Sequence, residues 1–100
     1  MSEQELEKLA QFRDGLNKID SQMVKLFEER MDIISELAIF KMEHEMSIYD
    51  PKREQKMKEF HTMEINNKNY KSYYGWFLKD VLEISKQYQL AIRQKHRTGK

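Results

Sequence analysis

The chain predicts an all-α fold of three helices with a long first helix, on three observations. Only three glycines and one proline occur in 100 residues, so few tight turns can be built and long helices are favoured over many short strands. Apolar residues recur at alternating three- and four-residue steps over two long stretches, which places them on one helix face. Turn signals are confined to the Glu43–Tyr49 stretch and the run Asn66, Asn67, Lys68, Asn69, dividing the chain into three.

The first helix begins near Ser2, with Glu5 three residues on as a capping box. Its stripe runs Leu9, Phe12, Leu16, Ile19, Met23, Leu26, Ile33, Leu37 and Phe40, the rhythm of a coiled-coil seam. Nothing breaks the pattern before His44, although Gly15 weakens it locally. A helix of about 40 residues is about 60 Å long, whereas a compact 100-residue domain has a radius of gyration of about 13 Å. The stripe therefore calls for a second chain, and an intertwined homodimer is the simplest answer.

The second helix starts at Asp50-Pro51, with Asp50 as N-cap and Pro51 at the first helical position. It carries Met57 and Phe60 and fades near Ile65. The third runs from about Tyr70 to Arg93 on the stripe Tyr74, Phe77, Leu78, Val81, Leu82, Tyr88 and Ile92. Residues 1–94 form the expected domain, and 95–100 read as a frayed polar tail.

Bulk properties exclude several classes of function. Eighteen basic residues against 17 acidic ones create no global field to collect nucleic acid or a membrane surface. There is no cysteine, which excludes disulfides and thiolate metal sites and suits a reducing cytoplasm. The three histidines lack metal-ligand spacing. The stretch Met1 to Phe12 is charged and has no apolar leader core, and no segment is apolar enough to span a bilayer.

The informative residues are polar ones inside apolar stripes. Arg30 occupies the seam position between Leu26 and Ile33, and Ser85 and Gln89 sit one turn apart within the third stripe. A buried polar group without a partner costs roughly 1–3 kcal/mol, and an unpaired charge more. A structural reading is available, with Arg30 snorkelling and Ser85 and Gln89 bonding the backbone; base rates favour it on pattern alone. Helix geometry adds that Arg30 and Lys41, eleven residues apart, share a face. Arg13, seventeen residues before Arg30, is rotated about 100° from that face and is better placed to reach a partner chain. Cations converging between helices would repel one another unless they held a small dianion, for which arginine offers a planar fork.

These residues carry a family resemblance. Arg13 with Ile19-Asp20, Glu29-Arg30-Met31, Lys41, the run Asp50-Pro51-Lys52-Arg53-Glu54, and Ser85 with Gln89 together resemble the all-helical class of chorismate mutases, over about Leu6 to Gln89. Single pieces of the set are weak signals, whereas the ordered whole is specific. The resemblance implies conversion of chorismate to prephenate by a Claisen rearrangement, in biosynthesis leading to phenylalanine and tyrosine. It also implies a dimer with two equivalent sites, no metal, no cofactor, and residence in the cytoplasm. Arg30, and Arg13 from the partner chain, would hold the two carboxylates. Lys41 would bind a carboxylate and the ether oxygen, and Gln89 would donate to that same oxygen. Glu54, with the backbone at Asp50, would hold the ring hydroxyl, and Ser85 and Arg53 would support the ring carboxylate. Some small relatives dock with another shikimate-pathway enzyme, so such a partner is admitted here.

The sequence departs from the resemblance at Ser47, where relatives often have proline, and at Asn17, where an acidic residue is common. Structural readings stand beside the functional ones. Asp50 is explained by capping alone, Glu54 could pair with Lys58 one turn on, and Tyr73, Tyr74, Trp76 and Phe77 read as packing. Two other functions stay open: an isochorismate pyruvate lyase on the same fold, and a non-enzymatic helical dimer acting as a scaffold.

Overall fold

The computed structural model describes residues 1–98, the side chain of Thr98 excepted, as three helices: α1, Glu3–Glu43; α2, Pro51–Glu64; and α3, Lys71–Thr98. A single 3-10 turn, Lys68–Tyr70, leads into α3. The described residues contain no strand, so the all-α expectation with a long first helix holds. No described helix is long and apolar enough to cross a membrane. The chain divides into two compact units, Met1–Asp32 and Ile33–Lys100, with the boundary inside α1.

Local chemistry explains where each helix begins and ends. At the head of α1 the Glu5 backbone N–H donates to Ser2 Oγ, and the Ser2 hydroxyl donates to Glu5 Oε1, both at 3.1 Å. This is the capping pair that the sequence implies. The other end closes in a Schellman arrangement. The Met46 N–H donates to the Lys41 carbonyl at 2.7 Å and the Glu45 N–H to Met42 at 3.3 Å, with Glu45 left-handed at φ 55°. Glycine usually fills that position because a Cβ is crowded there; here glutamate does.

At α2 the Asp50 carboxylate accepts from the Arg53 N–H at 3.1 Å, with Pro51 in the first turn. The 3-10 turn is capped in the same way, Asn67 Oδ1 accepting from the Asn69 N–H at 2.9 Å. The third helix continues beyond Arg93, through Lys95 and His96, to Thr98. It is therefore longer at its end than the stripe indicated, and residues 95–98 of the expected frayed tail are helical. Gly99 and Lys100 lie outside the described residues.

The core belongs to the Ile33–Lys100 unit. Ile34 and Ala38 of α1, Ile48 of the connecting loop, and Leu78 and Leu82 of α3 are its buried apolar residues, joined by the buried polar Ser85 and Gln89. α2 contributes no buried residue. Its backbone nevertheless comes close to that of α3, whereas no Cα of the Ile33–Glu43 stretch lies within 8 Å of one in α3. Side chains bridge that wider separation; the Ser35 hydroxyl donates to Tyr88 Oη at 3.2 Å.

The seam expected along α1 is not the face that this unit buries. Ile33 and Phe40 are 65% and 50% exposed, while Ile34 and Ala38, one position round, are buried. Helix α1 thus carries two apolar faces in this stretch. In the Met1–Asp32 unit every residue except Leu9, Arg30 and Met31 is exposed, including Phe12, Leu16, Ile19, Leu26 and Phe27. One helix has nothing of its own against which to bury such a stripe.

Replacing Glu45 by glycine is expected to raise the unfolding free energy by about 0.5–1 kcal/mol, because it relieves a left-handed backbone. Urea unfolding of the two proteins measures this, and a loss of stability would show that the Glu45 side chain contributes more than its backbone costs.

Candidate active site

Six of the residues singled out in the sequence fall in the Ile33–Lys100 unit: Lys41, Asp50, Arg53, Glu54, Ser85 and Gln89. Ser85 and Gln89 follow Leu78 and Leu82 on one face of α3, at steps of four, three and four, and all four are buried. Polar groups thus continue the face that builds the core. Ser85 takes the structural reading, its hydroxyl donating to the Val81 carbonyl at 2.8 Å. Gln89 does not. It is 4% exposed, and its Oε1 is buried without a hydrogen-bond partner. A half-turn about the last torsion would present the amide N–H₂ in its place, so the group can serve an acceptor or a donor.

Lys41 projects from the last turn of α1 and donates to the Ile48 carbonyl at 3.0 Å. It stays half-buried, with an ammonium that has three protons to offer. Two residues after Ile48, Asp50 caps α2 and brings Arg53 and Glu54 into the first turn. Arg53 is exposed. The sequence offered Lys58 as Glu54's partner, but the residue it meets is Lys86 of α3, whose Nζ lies 3.3 Å from Glu54 Oε2. The i+4 geometry on an exposed helix loses here to a cation that packing brings in from across the unit.

Lys86 also lies 3.5 Å from Glu83 Oε2 and 4.8 Å from the centre of the Tyr49 ring. Partial desolvation works against its charge, yet the hydrogen bond and charge of Glu54, followed by Glu83, outweigh this and raise the ammonium above the ordinary lysine range. The Glu83 carboxyl is held below its ordinary value, first by the hydrogen bond from Gln87 and then by Lys86.

A further arginine, Arg93, read from the sequence only as the end of the third helix and a solvated basic residue, ties the end of α3 to the loop. Arg93 Nη2 donates to the Met46 carbonyl at 2.9 Å, while its Nε is buried without a partner. The spacing Ser85, Gln89, Arg93 repeats every four residues, a signal that was legible in the sequence. A groove of about 670 Å³ lies beside it, lined by Met42, Glu45, Met46, Ser47, Arg93, His96 and Arg97. None of the sequence-predicted residues lines this groove, so it is a neighbour of the candidate site and does not constitute it.

Arg13 and Arg30 belong to the Met1–Asp32 unit. Arg13 is exposed; Arg30 is half-buried and already engaged with neighbouring groups.

Two comparisons with known proteins bear on this arrangement. Residues 12–90 match the profile of the family described as chorismate mutase type II. Over 46 residues the chain is 44% identical to a bifunctional chorismate mutase/prephenate dehydratase of Buchnera aphidicola subsp. Acyrthosiphon pisum (strain APS). That alignment covers 46% of this chain and 12% of the relative.

The orphaned amide gives a test of what Gln89 is for. Replacement by leucine, similar in volume and without a polar group, is expected to leave the melting temperature unchanged or a few degrees higher, since burying an unsatisfied amide costs roughly 1–3 kcal/mol. A marked fall in melting temperature would make Gln89 a structural residue.

Proposed function

Since this chain belongs to the chorismate mutase type II family, we propose that it catalyses the rearrangement of chorismate to prephenate, working as a homodimer in the cytoplasm. The observation that supports this reading most directly is Gln89: an amide on the core face of α3 whose buried oxygen lacks a partner. It lies in the same unit as Lys41 and Glu54.

The reaction is intramolecular. The ether C–O bond of chorismate breaks as a C–C bond forms between its enolpyruvyl and ring carbons, and no atom leaves. Catalysis then consists of holding the compact chair-like conformer and stabilising negative charge as it grows on the ether oxygen. In this reading Lys41 and Gln89 donate to that oxygen, and Glu54 with the Asp50 backbone receives the ring hydroxyl. Arg30 and a partner's arginine equivalent to Arg13 clamp the carboxylates, with Arg53 and Ser85 supporting the ring carboxylate. Each such donor typically contributes about 10²–10³ in rate.

The second copy has its own support. Phe12, Leu16, Ile19, Leu26 and Phe27 are each more than half exposed on the Met1–Asp32 unit, and burying side chains of this kind stabilises by about 1.5–3 kcal/mol apiece. Leu16→Glu is therefore expected to convert a dimer to a monomer in sedimentation velocity. A wild-type chain that already sediments as a monomer at micromolar concentration would end the dimer reading.

Purified protein given chorismate, and separately isochorismate, is expected to yield prephenate from the first. Pyruvate from isochorismate as the main product would transfer the chain to the lyase reading, and no turnover of either substrate by folded protein would favour a scaffold. Because an amide donates at every pH whereas a carboxyl donates only when protonated, kcat/KM is expected to stay level from mildly acidic to neutral pH. Gln89→Glu should instead lose activity across that range, and parallel pH profiles would remove Gln89 from the ether oxygen.

A further inference from the structure

One side chain not used in that scheme holds Glu54 directly and reaches the loop residue that precedes Asp50. Lys86 stands on α3 directly after Ser85, and its Nζ lies 3.3 and 3.4 Å from the two oxygens of Glu54. The same ammonium lies over the ring of Tyr49, the residue between Ile48, whose carbonyl receives Lys41, and the cap Asp50. The Lys86 and Glu54 side chains are 25% and 16% exposed.

We propose that Lys86 is a positioning residue for substrate recognition: it clamps the Glu54 carboxylate and the Tyr49–Asp50 segment into the arrangement that receives the ring hydroxyl. This rests on the chorismate reading above. A freely exposed lysine–glutamate pair contributes little, because two long side chains lose freedom to form it and water screens it. Here the partners are 32 residues apart in sequence and partly shielded. One cation restrains a helix side chain and a loop ring together, so the restraint falls on geometry more than on stability. The bond leaves Glu54 acceptor capacity for a hydroxyl, since an ionised carboxylate has about four lone-pair sites and Lys86 can occupy only part of them. Glu83 Oε2 also lies 3.5 Å from the same ammonium, and an ammonium with three protons to donate can serve it and Glu54 together.

The pattern expected of a residue that orders a binding group is a rise in KM with the chemical step largely preserved. In Lys86→Met, KM for chorismate is expected to rise about tenfold, with kcat within about threefold of wild type. Lys86→Arg should restore most of the loss. Groups that act through one another give non-additive effects, so Lys86→Met combined with Glu54→Gln should be no worse than Glu54→Gln alone. Multiplying losses, or a KM unchanged in Lys86→Met, would overturn the proposal. Lys86→Gln, which removes the charge and keeps a polar end, serves if Lys86→Met melts at the assay temperature. NMR without substrate separates this failure from failure of the function itself. Displaced Glu54 carboxyl and Tyr49 ring resonances in Lys86→Met support the clamp even if wild type proves inactive on chorismate, and unmoved resonances overturn it.

Discussion

One face of α3 has to bury both apolar and polar side chains, and most of the Ile33–Lys100 unit follows from that constraint. Leu78 and Leu82 occupy its first part and Ser85 and Gln89 its second, all four buried. The apolar part gains from leaving water at roughly 25 cal/mol per Å², whereas the polar part must be satisfied or carried at a cost. Ser85 is satisfied locally by the Val81 carbonyl, as a hydroxyl short enough to reach back one turn can be. A glutamine side chain aimed inward has no such local recourse, and its oxygen is left without a partner. That oxygen belongs to the side chain whose amide, turned about its last torsion, would supply the donor in the proposed reaction.

The loop between α1 and α2 shows how such a face is served without a large core. Its Met46 peptide is held at both ends, the N–H by the Lys41 carbonyl and the carbonyl by Arg93. The Ile48 carbonyl is held by the Lys41 ammonium, and Asp50 then starts α2. Lys41 therefore restrains the loop through its backbone and through its side chain. This is a large amount of restraint for a segment that includes a left-handed glutamate. It also explains how a loop with serine at position 47 is held in place by hydrogen bonds.

Helix α1 lives under a different constraint. Ile34 and Ala38 face the chain's own core, while Ile33 and Phe40, on a second face, remain largely exposed. In the Met1–Asp32 unit the exposed stripe extends through Leu26, Ile19, Leu16 and Phe12. So wide an exposed apolar surface supports the proposed second copy, since large apolar patches mark surfaces that meet a partner. The proposed chemistry calls for the same thing: a dicarboxylate needs more cations than Lys41 alone, and in that reading the partner's equivalent of Arg13 acts beside Arg30.

The helix count, the α2 cap at Asp50, the α1 cap at Ser2 and the breaks near Glu45 and Asn67 were all legible in the sequence, because each depends on residues within about four positions of one another. The same locality made Ser85 and Gln89 stand out as polar groups on an apolar stripe, and the ordered set from Arg13 to Gln89 carried the family. Period alone could not say which of two adjacent apolar faces of α1 turns inward, since Ile33 and Ile34 differ by one position and both fit a helical repeat. Nor could it pair Glu54 with Lys86 or Arg93 with Met46, partners 32 and 47 residues apart. Those pairings, and the difference between a satisfied Ser85 and an unsatisfied Gln89, depend on which surfaces meet when helices pack. Local periodicity specifies the helices and their candidate faces; only tertiary packing decides which polar atoms find a partner.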